Sequence, residues 1–275
     1  MAMTGTEQDT APSRLAPRRA LRASLLAGGH AGRSLISFAF ILAIWAVVGL
    51  LRVVPESIFP APWSVWSATM EMARSGVLWT DLSVSLSRAA VGFGLGTTLG
   101  VTIGMLTGRV ALVRTLLNPF LTVLRPIPAI ALVPVAIVWF GIGEGSKYFV
   151  IAYTVFLTVW FNTHHGMEYI PETYLRAARS LGVSRVREFL TVILPAAAPH
   201  IFAGIRLGVA LAFLSLVAAE LTGASSGIGY RLQEARQYIR TDRMFSLLII
   251  LGLLGATVDL IVHWIGRRLV HWQQG

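Results

Sequence analysis

Long uncharged apolar runs, separated by short polar segments, organise this chain of 275 residues. A helix rises about 1.5 Å per residue, so about 20 residues cross the roughly 30 Å hydrocarbon layer of a bilayer. On that scale six runs read as spanning helices: 35–54, 89–107, 116–140, 148–161, 203–221 and 245–265. The fourth is short and extends at most to His165. An amphipathic stretch at 63–74 follows the first. The predicted class is all-α: a polytopic membrane protein of about six transmembrane helices over residues 34–272. Residues 1–33, polar and rich in Arg, Ala and Pro, read as a loosely held tail. A cleaved leader is the alternative, but the late and long first apolar run favours a retained membrane helix.

Two runs carry internal patterns. In the second, Gly92, Gly96, Gly100, Gly104 and Gly108 recur every four residues and strip one helix face of side chains. Such a ridge lets another backbone approach closely. It serves packing within the chain, or else a dimer or sliding surface. In the third, Arg125, Pro126, Pro128 and Pro134 sit inside or beside the span. Proline removes a backbone donor and clashes with the preceding turn, and broken backbone at membrane depth is tolerated where protein shields it or water reaches it. Arg125 therefore lines a pathway, or snorkels to the interface while the prolines mark a helix start.

The segment 166–200 breaks the apolar pattern. Pro171 suits a helix start. Tyr174, Ala178, Leu181 and roughly Arg185 fall on one stripe, with Ala177 and Ala178 keeping it thin. Gly182 offers the left-handed conformation that ends a helix. A second helix is expected from Ser184 through Phe189 and Val192 to Leu194, closed by Pro195. This helix–turn–helix reads as a docking surface for a soluble protein.

Composition agrees with lipid as a solvent: 55% of residues are hydrophobic and 13% charged, against about 25% charged in ordinary soluble domains. Cysteine is absent, which excludes disulfides and thiolate chemistry. The net charge of +10 comes from arginines and matches the cationic bias of cytoplasmic loops. No basic patch with interleaved aromatics points to nucleic acid. With the N-terminus in the cytoplasm, the inner side receives the N-terminal arginines, Arg109, Arg114, Arg176, Arg179, Arg185, Arg187, Arg267 and Arg268. The outer side receives Arg74, Lys147, Arg231, Arg236, Arg240 and Arg243. Both termini and the segment 166–200 are then cytoplasmic.

Candidate chemistry is sparse. His164 and His165 are adjacent and face different ways on a helix, which disfavours a metal site. Asp259 and His263 are spaced to satisfy each other inside the bundle, and Glu220 reads as a tie to the outer loop or part of an outer gate. GIGEG at 141–145 reads as a turn, not a phosphate cradle. Arg52, Arg88, Arg125 and Arg206, near span ends, would favour an anion wherever they face a pathway. No catalytic or metal-ligating set is found, and no phosphate-loop motif is present, so any ATP used must be hydrolysed by another polypeptide.

The segment 172–195 resembles the EAA loop of binding-protein-dependent ABC importer permeases. Ala177-Ala178, Gly182, Val192 and Leu194-Pro195 keep its spacing, and Arg176 stands at the family's Glu position. FPAPWSVW at 59–66, LRPIPAIALVPVAIVWFGIGEGSK at 124–147 and AELTGASSGIGY at 219–230 resemble the nitrate, sulfonate, taurine and bicarbonate branch. The resemblance implies a type I importer permease in the bacterial inner membrane. It implies a second permease subunit, two ATPases that bind ATP and Mg²⁺, and an extracytoplasmic solute-binding protein. The coupling loop would comprise Tyr174, Arg176, Ala177, Ala178, Leu181, Gly182, Leu194 and Pro195. A stand-alone secondary transporter or a membrane scaffold is the competing reading. The first would show paired broken helices in both halves, and only one broken span is visible.

Overall fold

The computed structural model describes residues 36–269. The tail expected at 1–33 lies outside the described residues. Two units divide the chain at Pro62. In the first, α1 (Ile36–Leu51) is a short apolar helix. The Trp45 indole N–H donates to the Pro60 carbonyl at 2.9 Å, and Trp45 meets Phe59 edge to face.

The described residues of the second unit are helices joined by short turns. Its elements are α2 (Pro62–Arg74), α3 (Val77–Arg109), α4 (Ala111–Leu124), α5 (Ala129–Phe140), α6 (Glu144–Glu168), α7 (Glu172–Ser180), α8 (Arg185–Glu188), α9 (Leu194–Gly223), α10 (Ile228–Gln237) and α11 (Thr241–Leu269). Among the described residues, α3, the rod Arg185–Gly223 and α11 are long and apolar enough to cross a membrane. The pair α4 and α5 adds a fourth crossing if read as one span, bent by 106°. The count of six from the sequence is therefore not reproduced. The described part of α1 is short of a full crossing, and α6 has the length but is too polar, because protein rather than lipid surrounds it.

The α6 helix is the axis of this unit. Ile151, Val155 and Val159 are fully buried and pack with Ala89, Val209, Ala212, Phe213 and Leu216 from α3 and α9, while Val150, also fully buried, packs with Val133 and Ala136 of α5 and Ala219 of α9. The glycine ridge of α3 makes the contact possible. A methyl group placed on Gly92, Gly96, Gly100, Gly104 or Gly108 would lie 2.4–2.7 Å from atoms of Ile151, Ala152, Val155, Val159, Thr163 or Met167. Gly166 and Gly204 bring α6 and α9 equally close, against His200 and Asn162. The ridge is thus filled by a neighbour from the same chain.

Several boundaries differ from those read in the sequence. α3 starts a dozen residues before Ala89, because polar residues on its first turns are used inside the protein. α6 is 25 residues long, not a short span. Pro195 does not close a helix. A π turn at Phe189–Ile193 joins α8 to α9, and Pro195 sits in the first turn of α9, where a missing N–H is tolerated.

The close seam yields a test. Gly100→Leu should lower stability by about 1–3 kcal/mol through overpacking or prevent accumulation. Gly94→Leu, where the space within 4 Å is open, should leave the unfolding midpoint in detergent unchanged. Thermal unfolding of the two purified variants checks this.

Candidate functional site

At one end of the bundle α7 and α8 form an elbow. α7 ends in a glycine-terminated cap: Gly182 has φ +72°, its N–H donates to the Arg179 carbonyl at 3.0 Å, and the Val183 N–H reaches the Ala178 carbonyl at 3.2 Å. This is the paired-bond helix ending that glycine favours. The stripe expected from the sequence is rotated. Leu175 and Ala178 are buried, with Leu175 packing in a cluster with Met167, Ile193 and Ala197. Ala178 therefore faces its own protein. Tyr174, Ala177 and Leu181 form the outward stripe, Leu181 being 82% exposed. Arg176 is also exposed and pairs with Glu172 one turn earlier at 2.9 Å.

From the elbow, α8, the π turn and α9 run as one 39-residue rod, Arg185–Gly223. A π turn widens the backbone locally and is common at functional positions. Midway, the rod flanks a cavity of about 710 Å³ between α9, α6 and the break between α4 and α5. Leu207, Leu211 and Leu214 form its apolar side, and Arg125, Thr154, Thr158, Asn162 and Ser215 supply polar groups.

The break itself is built by sequence. Pro126 lies within it, Pro128 precedes α5, and Pro134 lies inside α5. The Tyr153 hydroxyl donates to the Leu124 carbonyl at 2.7 Å and so satisfies a carbonyl at the end of α4. Arg125 sits at the break with its guanidinium 3.6 Å from the centroid of the Phe161 ring, a cation–π contact.

The far end of α9 is tied down. Arg88 is 2% exposed and forms a bidentate pair with Glu144 (2.6 and 2.7 Å), a bond to Glu220 (2.8 Å) and one to the Ser226 carbonyl (2.6 Å). Glu220 also accepts from the Ser85 hydroxyl at 2.8 Å and from the Gly229 N–H at 2.8 Å. Asp81 accepts from the Gly227 N–H at 2.7 Å and from Arg231 at 2.6 Å. Burial opposes charge on Arg231, but its hydrogen bonds to Glu234 and Asp81 prevail and hold its pKa above the ordinary arginine value. The participation of Asp81 and Ser85 was missed in the sequence. Asp81, Ser85 and Arg88 lie at i, i+4 and i+7, a polar stripe that the hydropathy boundary at Ala89 cut away.

The remaining candidates separate cleanly. Arg88 is engaged by carboxylates and cannot meet a solute. Arg206 pairs bidentately with Asp259 at 2.9 Å and lies 3.4 Å from His263. This corrects the expected Asp259–His263 pair, since a guanidinium outcompetes imidazole for a carboxylate. Arg52 ends α1 in the other unit. His164 bonds Thr107 and Asn118, each at 3.1 Å, and so links α3, α4 and α6. His165 packs edge to face on Phe161. GIGEG is a turn leading into α6.

One rod thus joins an exposed elbow to the cavity. Residues 96–271 match a family described as "Binding-protein-dependent transport system inner membrane component". The chain belongs to that family. A Bacillus subtilis relative, named for aliphatic sulfonates transport as permease protein SsuC, is 39% identical over 88% of this chain and 87% of its own length. The taurine transport system permease protein TauC of Escherichia coli is 31% identical over 87% and 89%. The nitrate import permease protein NrtB of Leptolyngbya laminosa is 31% identical over 94% and 97%. The fold resembles a chain of the MetNI methionine ABC transporter in inward-facing conformations, with a TM-score of 0.55, 20% identity and coverage of 68% of this chain and 91% of that one. An amino acid ABC transporter chain gives 0.58 at 15% identity, over 74% and 96%. This permease-family chain is therefore a multi-pass membrane transport component.

The clamp generates a prediction. Arg88→Met leaves Glu220 charged and buried, and should cost about 3–5 kcal/mol. Glu144→Gln, at a side chain 47% exposed, should cost nearer 1 kcal/mol. Arg88→Met with Glu220→Leu should recover part of the loss, because no charge is then stranded. Thermal unfolding of the purified chains measures all three.

Proposed function

We propose that this chain is the permease subunit of an ATP-driven importer for a small anionic solute of the sulfonate, taurine or nitrate kind. A separate ATPase would drive it through the 172–195 elbow. The observation that carries this reading is the uninterrupted rod from the elbow past the cavity to the clamp at Glu220. Any displacement of α7 is delivered along it to the cavity wall at Leu207, Leu211 and Leu214. Helices transmit such motion because packed cores are bistable, not continuously deformable.

Tyr174, Ala177, Leu181 and Arg176 present the docking face. Gly182 sets its shape, and Ala178 supports it from behind. Leu194 and Pro195 lie where the rod enters its membrane portion. ATP and Mg²⁺ belong to the partner ATPases, whose binding must favour one conformation over the other if it is to do work. A second copy of this chain completes the pathway, and an extracytoplasmic binding protein delivers the solute. The elbow end, with Arg109, Arg114, Arg185, Arg187, Arg267 and Arg268, faces the cytoplasm. At the opposite end three arginines are used locally: Arg231 pairs with Asp81 and Glu234, Arg240 with Asp242 and Glu71, and Arg243 with Glu71.

Arg125 is the anion handle of the proposed pathway. Arg88 and Arg206 are neutralised by carboxylates, whereas Arg125 lines the cavity and, among the described residues, has an aromatic ring and no carboxylate against it. Pro126, Pro128 and Pro134 hold the break that exposes it, and Glu220 belongs to the far clamp and not to the pathway itself.

Two experiments test the reading. Leu181→Asp should abolish co-purification of the ATPase while the chain stays in the membrane, and undiminished co-purification would argue against the docking role. Arg125→Ala should reduce sulfonate or nitrate uptake roughly tenfold or more, the worth of one charge-assisted bond, in an assembled complex that still hydrolyses ATP. Unchanged uptake would remove Arg125 from the pathway.

A further inference from the structure

A second cavity lies at the root of the elbow, apart from the proposed solute path and from the outward docking stripe. It measures about 500 Å³ and is lined by Arg109, Arg179, Arg185 and Glu188, with Val183, Phe189 and Ile193 as its apolar part. Glu188 is 5% exposed and already held by Arg179, at 3.3 and 3.4 Å. Arg109 and Arg185 have no ion pair or hydrogen bond among the described residues. Nearby Arg114 adds a further cation, held by the Thr107 and Gly108 carbonyls at 3.0 and 2.7 Å and 3.8 Å from Glu168. The cavity thus holds more positive charge than its own carboxylate balances, and Arg109 is only half exposed. A charge taken partly out of water needs a partner.

Depth indicates which partner. α3 carries no charged residue between Arg88 and Arg109. Those 21 steps span about 31 Å, the thickness of the hydrocarbon layer. With Arg88 in the clamp at one face, Arg109 falls at the other face, where lipid phosphates lie. Guanidinium groups match phosphate oxygens with paired donors.

We propose that this cavity binds a phosphate-type anion, supplied by the headgroup of an anionic phospholipid, which bridges Arg109 at the end of α3 to Arg185 at the start of the rod. The lipid then braces the elbow against the spanning helix. The site binds lipid whether or not the transport reading above is correct, and its test reads lipid retention, not uptake.

The full chain, purified from nanodiscs of phosphatidylcholine with a minor share of phosphatidylglycerol, is examined for retained lipid by native mass spectrometry. Wild type should retain phosphatidylglycerol in preference to phosphatidylcholine. Arg109→Gln and Arg185→Gln should each lower that retention roughly fivefold, the worth of one basic side chain near an anionic surface. Val183→Trp, which fills the cavity without removing a charge, should lower it too, and Arg236→Gln at the opposite end should not. Equal retention of both lipids, or unchanged retention in folded Arg109→Gln and Arg185→Gln, overturns the proposal. Displacement of bound phosphatidylglycerol by excess inorganic phosphate would make free phosphate the source and overturn the lipid assignment. Loss of ATPase binding in Arg109→Gln with lipid retention intact would identify an acidic protein side chain as the partner, and would overturn it as well.

Discussion

The backbone-to-backbone contact between α3 and α6 is the constraint on which the rest of this molecule depends. Apolar side chains gain little by leaving lipid for protein, so helices in a bilayer associate through close packing and shared polar groups. The glycine ridge supplies the first. It lets α6, with its hydroxyls, histidines and asparagine, be enclosed by α3 and α9 instead of facing hydrocarbon. The polarity that disqualifies α6 as an independent span is the polarity the bundle uses: His164 ties α3 to α4, Tyr153 satisfies the broken backbone after α4, and Thr158 and Asn162 wet the cavity.

Charge is placed at the two ends of this axis with different purposes. At the clamp Arg88 meets the buried carboxylate of Glu220 and the half-exposed one of Glu144, Arg231 meets the buried Asp81, and backbone N–H groups of Gly227 and Gly229 complete the set. Such a network contributes little net stability against an apolar replacement, but it is costly to break halfway. Its consequence is positional: α3, α6, α9 and α10 share one fixed point. At the elbow the arginines exceed the acids, and a π turn interrupts the regular backbone. The rod therefore has one densely tied end and one sparsely tied end.

Much of this was legible in the sequence because its causes are local. Glycine at every fourth position, proline clustered around Arg125, and the Ala-Ala-Arg-Ser-Leu-Gly ending of α7 each impose backbone geometry wherever they occur. What was not legible depended on partners distant in sequence. Asp259 was assigned to His263 by spacing, but Arg206, on another helix, claims it. Ala178 looked outward by periodicity, yet its side of α7 is turned inward, the side whose Leu175 packs with Ile193 and Ala197. Hydropathy ended the second span at Ala89 and so hid Asp81 and Ser85. A polar residue within a helix reads as a boundary until its partner is known. Pro195 misled for a related reason: proline stops a regular helix, but the π turn before it had already altered the bonding that proline would disrupt.

The cavity shows why an arginine at membrane depth needs both the break and the ring. An arginine on an unbroken helix would carry its charge into lipid or require a carboxylate, as Arg206 does. The prolines interrupt the helix at 125–128, Arg125 lines the cavity there, and Phe161 covers one face of the guanidinium without neutralising it. A carboxylate in that position would compete with any anionic solute. An aromatic quadrupole offers a cation only a modest interaction, about 0.5–2 kcal/mol, which an arriving anion can outweigh while the cation remains oriented. The same chemistry applied at Arg88 would fail, because two carboxylates neutralise its charge and, with the Ser226 carbonyl, occupy four of its five N–H donors. The difference between a structural arginine and an available one in this protein is therefore set by what lies against the guanidinium plane, not by depth in the membrane.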